Sequence, residues 1–324
     1  MHQNVTTATG HAPELRSAPA YRTVLTHDAD ELARNLTDWE QCYDQMTAGA
    51  FHGALAELRL PRMQVFREEI SQSVRQTCRV WPGALWFGFP AQAGAIRING
   101  RPLDGDCVMV RPGGGEFELL TPSSHVIYGM VVCRDVLAQA ALRSACGVDW
   151  ERMQAAEVLR VDGEARMACM EALAAALAVS GAHGGMLPAG SEQQLLAALL
   201  GVLDCSGVEP AAAHSFQRRQ KVVARVRDYI LAHRDQPLTV PDLCAIAHVS
   251  RRTLQYCFED VLGMSPTLYL RRVRLNGVRR QLLDPAARRQ PIGAVAAAWG
   301  FGSFSQFSSD YRKLFGASPS ATRM

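Results

Sequence analysis

Leu243-Cys-Ala-Ile-Ala-His-Val-Ser-Arg-Arg-Thr-Leu254, running on to Leu262-Gly-Met-Ser-Pro266, is the first copy of a repeated pattern. Val295-Ala-Ala-Ala-Trp-Gly-Phe-Gly-Ser-Phe-Ser-Gln-Phe307, running on to Phe315-Gly-Ala-Ser-Pro319, is the second. Leu243, Ile246 and Val249 superpose on Val295, Ala298 and Phe301 at an offset of 52. Leu254, Phe258, Leu262, Gly263, Ser265 and Pro266 superpose on Phe307, Tyr311, Phe315, Gly316, Ser318 and Pro319 at 53, so one turn residue separates the registers. Each copy reads as a helix, a tight turn and a second helix, over about 239–260 and 292–313. In the first, Leu243, Ile246 and Ala247 face inward, Val249 plugs the corner, and Ser250 caps the second helix by accepting from backbone N–H groups. Burying Leu254, Phe258 and Leu262 leaves Arg251, Arg252, Gln255 and Tyr256 on the outer face of the first turns. From there a recognition helix reaches base edges in the major groove, where Arg pairs with guanine and Gln with adenine. In the second copy Ser303 is the cap, and Ser305, Gln306 and Ser309, with Phe304, face outward. Lacking Arg, this copy is expected to discriminate less and more by shape.

Between the copies, Pro266–Leu283 reads as one amphipathic helix carrying Arg271, Arg272, Arg274, Arg279 and Arg280. At 1.5 Å per residue it spans about 25 Å, enough to hold two recognition helices near one turn of DNA apart. Arg271 and Arg274 are candidates for phosphate contact; the alternative is a solvated arginine face. Charge agrees with the first reading. From Phe216 on there are 18 Lys and Arg against 7 Asp and Glu, a net of +11, whereas residues 1–215 carry 16 against 24, a net of −8. A basic third behind an acidic body points to a nucleic-acid-binding module carried by a regulatory domain.

The 324 residues are 48% apolar and 20% charged with a mean hydropathy of −0.05, a globular composition with room for two domains. Apolar runs such as Leu173–Val179 and Leu195–Leu203 fall short of the roughly 20 residues a spanning helix needs. Met1–Ala20 is polar and lacks a leader pattern, so a cytoplasmic chain is expected, with no membrane partner. The nine cysteines are scattered without any C-x-x-C, which reads as free thiols. Neither H-x-H nor H-E-x-x-H occurs, so no metal site and no enzyme activity are expected.

Upstream, short apolar runs punctuated by turn residues predict strands at Ala54–Leu60, Gln64–Glu69, Ala84–Phe89, Ala95–Ile98, Cys107–Val110, Phe117–Leu120 and Val126–Val132. Asn99-Gly100, Asp104-Gly105 and Gly113-Gly114-Gly115 supply residues tolerant of positive φ. Their regular spacing reads as a small barrel or sandwich. Ala165–Val179 and Ser191–Asp204 predict two helices that either pack on their own barrel or pair with a second chain. The expected order is a disordered 1–20, a β-rich domain over 21–135, a helical coupling or dimerisation segment over 136–205, a linker at 206–215 and an all-α region over 216–324. The fold class is α+β.

From about Lys221 to Arg323 the chain resembles the AraC-type transcriptional regulators, whose DNA-binding domain joins two helix-turn-helix motifs by one helix. The doubled pattern, Gly300-Phe301 in the second turn and Phe315-Gly-Ala-Ser-Pro319 carry the resemblance. Val80-Trp-Pro-Gly-Ala-Leu-Trp-Phe-Gly-Phe-Pro-Ala91, Arg111-Pro-Gly-Gly-Gly-Glu-Phe-Glu-Leu119 and Val249-Ser-Arg-Arg-Thr-Leu-Gln255 are similar to the ethanolamine-utilisation regulators of that family, over about Trp39 to Pro319. That resemblance implies an activator of a catabolic operon acting on promoter DNA and RNA polymerase, with ethanolamine and adenosylcobalamin as effectors. Other inducers remain open, as do a homodimer, a cupin enzyme with an appended DNA module and an effector-free nucleoid binder.

Gly105-Asp-Cys-Val-Met-Val-Arg-Pro112-Gly-Gly114 resembles a cupin second motif, so the sensing domain is expected to be a cupin-like β-barrel. Phe117 stands where a cupin enzyme places a metal-binding His, which implies a pocket without a metal. A small ammonium needs carboxylates or aromatic faces in a closed cavity. The candidates are Trp81, Trp86, Glu116, Glu118 and Tyr128; period-two logic puts Glu116 and Glu118 on one strand face. No cobalamin motif is present.

Overall fold

Alternating apolar and polar residues form a pleated strand with one buried face, and Glu116–Thr121 shows the rule plainly. Phe117 and Leu119 are buried, whereas Glu116 is exposed and Glu118 half-buried. The computed structural model describes residues 20–323 except 93, 205, 209–212, 234, 235 and 237. The disorder expected of residues 1–20 thus lies outside the described residues, save Ala20, which opens the first strand.

In chain order the N-terminal domain begins with β1 (Ala20–Thr26), α1 (Ala29–Arg34), β2 (Glu40–Gln45), β3 (Gly53–Leu60), β4 (Met63–Ile70), β5 (Val74–Arg79) and β6 (Ala84–Pro90). It continues with β7 (Arg97–Ile98), β8 (Arg101–Pro102), β9 (Cys107–Pro112), β10 (Glu116–Thr121) and β11 (His125–Cys133). Then come α2 (Arg134–Arg143), α3 (Trp150–Ala155), β12 (Val158–Arg160), α4 (Gly163–Ala182), α5 (Ser191–Asp204) and β13 (Gly207–Val208). The strands make two antiparallel sheets, ordered β1-β3-β4-β11-β6-β9-β12-β13 and β2-β5-β10-β7-β8. The expected strand-rich domain is therefore present as two facing sheets, not as a closed barrel. The predicted helical segment 136–205 also contributes strand β12 to the large sheet, because Leu159 and Arg160 pair with Val108 and Cys107.

Two cores follow from this layering. Between the sheets lie Tyr43, Phe66, Trp86, Ile98, Phe117 and Leu119 among others. On the other face of the large sheet, Leu58, Val65, Phe87 and Val132 meet α2, α4 and α5. Helix α4 is long and apolar enough by composition to cross a membrane. Here its Cys169, Leu173 and Leu177 are buried in the helix–sheet core. The hairpin β7–β8 turns on Asn99 (φ 49°) and Gly100 (φ 78°). Two consecutive positive φ angles are what a two-residue hairpin turn of matching twist requires, and Asn-Gly meets that requirement.

The C-terminal third comprises α6 (His214–Ala232), α7 (Val240–Ala247), α8 (Arg251–Leu262), α9 (Pro266–Leu283), α10 (Ile292–Ala298), α11 (Phe304–Phe315) and α12 (Pro319–Thr322). α7 and α8 form one helix-turn-helix and α10 and α11 the other. Leu243, Leu254, Phe258 and Leu262 are buried in one core, and Val295, Phe307, Tyr311 and Phe315 in the other. α9 contributes Tyr269 and Val273 to the first and Leu275, Val278 and Leu282 to the second. Serving two cores from opposite faces leaves α9 buried along most of its middle.

Two predictions rest on the packing. Gly316 caps α11 at φ 72°, and a Cβ there would lie 2.9 Å from the backbone nitrogen of Ala50 in the N-terminal domain. Left-handed backbone alone costs a side chain about 1–2 kcal/mol, so Gly316→Val should lower the thermal midpoint; an unchanged midpoint refutes the close approach. The second concerns Glu68, buried between the sheets, which accepts from Tyr43 Oη at 2.8 Å and Gln76 Nε2 at 3.1 Å. Burial pushes its carboxyl from 4.5 up to about 7, against those two hydrogen bonds. A carboxyl raised in the folded state favours folding below its unfolded value and loses that advantage as pH climbs through the folded one. The pH range 4.5–7 should therefore see stability fall by up to about 3 kcal/mol. Glu68→Gln should flatten that part of the pH–stability curve as measured by urea unfolding.

Candidate nucleic-acid interface

Ser250 holds an extended backbone and its Oγ accepts from Thr253 N at 3.1 Å, which starts α8. The cap and the burial of Leu254, Cys257, Phe258, Val261 and Leu262 fix the rotation of the helix, so Arg251 and Arg252 stand exposed at its N-terminus. Neither has an ion-pair partner among the described residues. Tyr256 is 55% exposed, with the Arg219 guanidinium 5.4 Å from its ring centre. Gln255 is half-buried and donates to Glu259, so reading a base requires it to exchange that bond.

In the second motif Ser303 Oγ accepts from Gln306 N at 3.3 Å. Phe304 is 54% exposed, and Ser305, Gln306 and Ser309 lie on the same open surface. Gln306 donates to Asp310 Oδ1 at 3.0 Å, and Asp310 Oδ2 pairs with Arg271 Nη1 at 3.2 Å. Arg271 thus stays at the surface while tying α9 to α11. Both recognition helices present free N-terminal turns, the end whose backbone N–H groups and dipole favour a phosphate.

The linking helix departs from its reading as an arginine face. Arg274 is only 9% exposed and donates to the carbonyl of Gln236; burial lowers its pKa, so it braces the first motif from inside. Arg272 is half-buried and lowered for the same first reason. Arg279 pairs with Asp28 at 2.5 Å and lies over the Phe315 ring. Arg280 pairs with Asp30 at 3.2 Å and also with Asp44. Both therefore face the N-terminal domain. Beside them, Gln45 N donates to Asn276 Oδ1 at 2.9 Å while Asn276 Nδ2 donates back to Gln45 O at 3.0 Å. Gln45 Nε2 and Gly49 N both donate to Leu314 O, at 2.8 and 2.9 Å.

The effector candidates are dispersed. Trp81 and Trp86 are buried between the sheets, where Trp86 stacks on Phe117 at 5.0 Å between ring centres. Glu116 and Glu118 do share a face, but it is the outer one. Glu118 pairs there with Arg75 at 2.5 Å and with Arg227 of α6 at 3.1 Å, because Phe117 and Leu119 take the inward positions. Tyr128 lies against the helix–sheet core, on the other side of the large sheet from the tryptophans. No ammonium cage forms from these five. The acidic set that does matter, Asp28, Asp30, Asp44 and Glu118, left only its sign in the sequence, as the −8 of residues 1–215. Among the described residues no three His, Cys, Asp or Glu side chains converge to hold a metal.

A family profile described as a helix-turn-helix domain matches residues 243–324. The chain is 35% identical over 125 residues to the probable thc operon regulatory protein of Rhodococcus erythropolis, a match covering 36% of this chain and 37% of that protein. The chain thus matches little more than a third of that relative's length. A transcriptional regulator from Chromobacterium violaceum, described by its AraC-type DNA-binding domain, is 32% identical over 32% of this chain and 90% of that one, with a TM-score of 0.30. The DNA-binding domain of the global transcriptional factor AdpA, solved in complex with a target DNA, is 31% identical over 31% of this chain and 88% of that one, with a TM-score of 0.29.

Arg251→Ala and Arg252→Ala should each weaken specific binding by about 1–3 kcal/mol and relax preference at one base position. Equal losses on operator and random DNA in a competition assay would mark the residue as a phosphate contact instead.

Proposed function

Because its C-terminal third belongs to the AraC-type helix-turn-helix DNA-binding domains, we propose that this chain is a sequence-specific transcriptional regulator whose N-terminal domain senses a small molecule. The observation that carries the reading is the pair of capped helices, α8 and α11, whose free N-terminal turns are mounted on one buried helix, α9. A rigid double reader suits two successive major-groove segments of promoter DNA. Arg251, Arg252, Gln255 and Tyr256 read one segment, and Ser305, Gln306 and Ser309 the other. Ser250 and Ser303 orient the helices, and Arg271 stands at the phosphate-facing edge. We assign the chain no catalytic step.

The effector reading stands on sequence resemblance. Ethanolamine, with adenosylcobalamin as co-effector, is the proposed inducer, and operon activation through RNA polymerase the proposed output. A protein with these partners works in the cytoplasm. The α4–α5 layer is the surface offered for a homodimer. Coupling between effector and DNA is worth about 1–3 kcal/mol in such systems.

Footprinting on promoter fragments selected from random genomic DNA tests the DNA reading: a protected site spanning two successive major-groove segments is expected, and protection indifferent to sequence overturns it. Thermal shifts of the full chain with ethanolamine and adenosylcobalamin, singly and together, test the inducer. A shift absent with serine and choline is expected, and a flat response removes ethanolamine while leaving the regulator.

A further inference from the structure

A cleft of about 330 Å³ opens at the end of the inter-sheet core, floored by Pro90, Ile96 and Leu103 and edged by Asp104, Asp106 and Arg166. Its position in the fold matters more than its size. Leu103 N donates to Ile96 O at 3.0 Å, which makes those two wall residues the base rung of the β7–β8 hairpin. The turn of the hairpin, with the Arg97 side chain reaching along it to Gly100 O, is seated against α6 and α8. Arg97 Nη1 donates to Asp260 O at 2.7 Å, Gln220 of α6 donates to Asn99 O, and Gly100 abuts Val261 so closely that a Cβ would overlap it. The hairpin, laddered onto β10 through Arg97 and Ile98, thus runs from the cleft wall to the C-terminal end of α8.

The edge chemistry selects a ligand. Arg166, on the first turn of α4 and mostly buried, spends Nε on Asp106 at 3.3 Å and Nη1 on Pro90 O at 3.1 Å. Its Nη2 has the Met167 thioether at 4.0 Å, a weak acceptor that leaves the donor available for an oxygen. Asp104 is exposed at the rim, beside Asp106. Asp104 and Asp106 set two carboxylates at the rim, which favour an ammonium, while Nη2 favours a hydroxyl or carboxylate near it; the Arg160 guanidinium lies beyond Gly105, 3.8 Å from where a Cβ there would stand. The apolar floor takes a carbon substituent.

We propose that this cleft binds a small molecule bearing a protonated amine and a hydroxyl or carboxylate on adjacent carbons, an amino alcohol or amino acid, and that the β7–β8 hairpin transmits its presence to the first recognition helix. The inference rests on the reading of the N-terminal domain as a sensor and gives that sensor a site. The amine sits at Asp104 and Asp106, the oxygen at Arg166, and the remainder on Ile96 and Leu103.

Calorimetric titration of the full chain with ethanolamine, L-leucinol, L-leucine, isoamylamine and 4-methylpentanoate tests it. At least one two-pole compound should bind saturably, and the compounds lacking the amine or the oxygen should bind at least tenfold more weakly. Whether leucinol or leucine binds tells hydroxyl from carboxylate. Arg166→Met and Asp104→Asn should each weaken the binding at least tenfold; Asp104 is exposed, so its variant keeps the test valid if the Arg166 variant fails to fold. Arg97→Met should retain ligand affinity while abolishing the ligand's effect on the footprint. Binding unchanged by both rim substitutions overturns the site but keeps the sensor. No saturable binding of any compound, beside an intact footprint, overturns the inference and leaves the DNA reading standing. Arg97→Met with full ligand response overturns transmission through the hairpin.

Discussion

Asn276 and Gln45 exchange two hydrogen bonds across the boundary between the N-terminal domain and the C-terminal third, and the docking of the two is registered on them. β2 is an edge strand, so the backbone N–H and C=O of Gln45 are open ladder groups that must be satisfied if buried. The Asn276 amide answers both, as a further strand would. Around this joint lies a network of charges: Asp44 and Glu118 bracket Arg75, Arg280 reaches Asp44, and Arg227 reaches Glu118. Burial works against the charge on Arg75, yet Tyr269, Glu118 and Asp44 together hold its pKa above the usual arginine range. Such a network adds little net stability over an apolar contact, but removing one member strands a buried charge. It therefore specifies one docking orientation.

That orientation divides the positive charge of the C-terminal third. Arg227, Arg279 and Arg280 are neutralised by N-terminal carboxylates, and Arg274 is withdrawn into the interior. Arg251, Arg252, Arg312 and Lys313 remain exposed on the recognition helices. The N-terminal domain meets these helices at their C-terminal ends: Gln45 of β2 and the β2–β3 loop touch α11 at Leu314 and Gly316, and the β7–β8 hairpin touches α8 at Asp260 and Val261. Their N-terminal turns are thus left open.

What was legible in the sequence followed the range of the interaction concerned. Helix boundaries at Pro266–Leu283, caps at Ser250 and Ser303 and the Asn99-Gly100 turn depend on residues within one turn of each other. Sequence reading found each of them. The strands β3, β4, β6, β9, β10 and β11 announced themselves as short apolar runs between turn residues. β1, β2, β5 and β12 did not; in β2 and β5, Cys42–Gln45 and Val74–Thr77 carry buried polar residues, Asp44, Gln45, Arg75 and Gln76, where the alternation rule expects apolar ones. Those polar residues line the network at the joint or pair with Glu68, so β2 and β5 were hidden because their polar groups find distant partners.

By itself, the sequence determined a duplicated helix-turn-helix, a β-rich domain ahead of it, and the opposite signs of their charges. These come from periodicity, capping and composition, which act within a short stretch of chain or over its sum. Only the tertiary structure decided that the β domain is two facing sheets, and that Glu118 looks outward to Arg75 and Arg227. It also decided that Arg274, Arg279 and Arg280 face protein, and that a hairpin base at Ile96 and Leu103 connects a cleft to α8. An arginine on a helix reads the same whether it meets phosphate, solvent or a carboxylate two hundred residues away. The difference is made by which faces the cores leave free, and that is settled only when both domains are folded and docked.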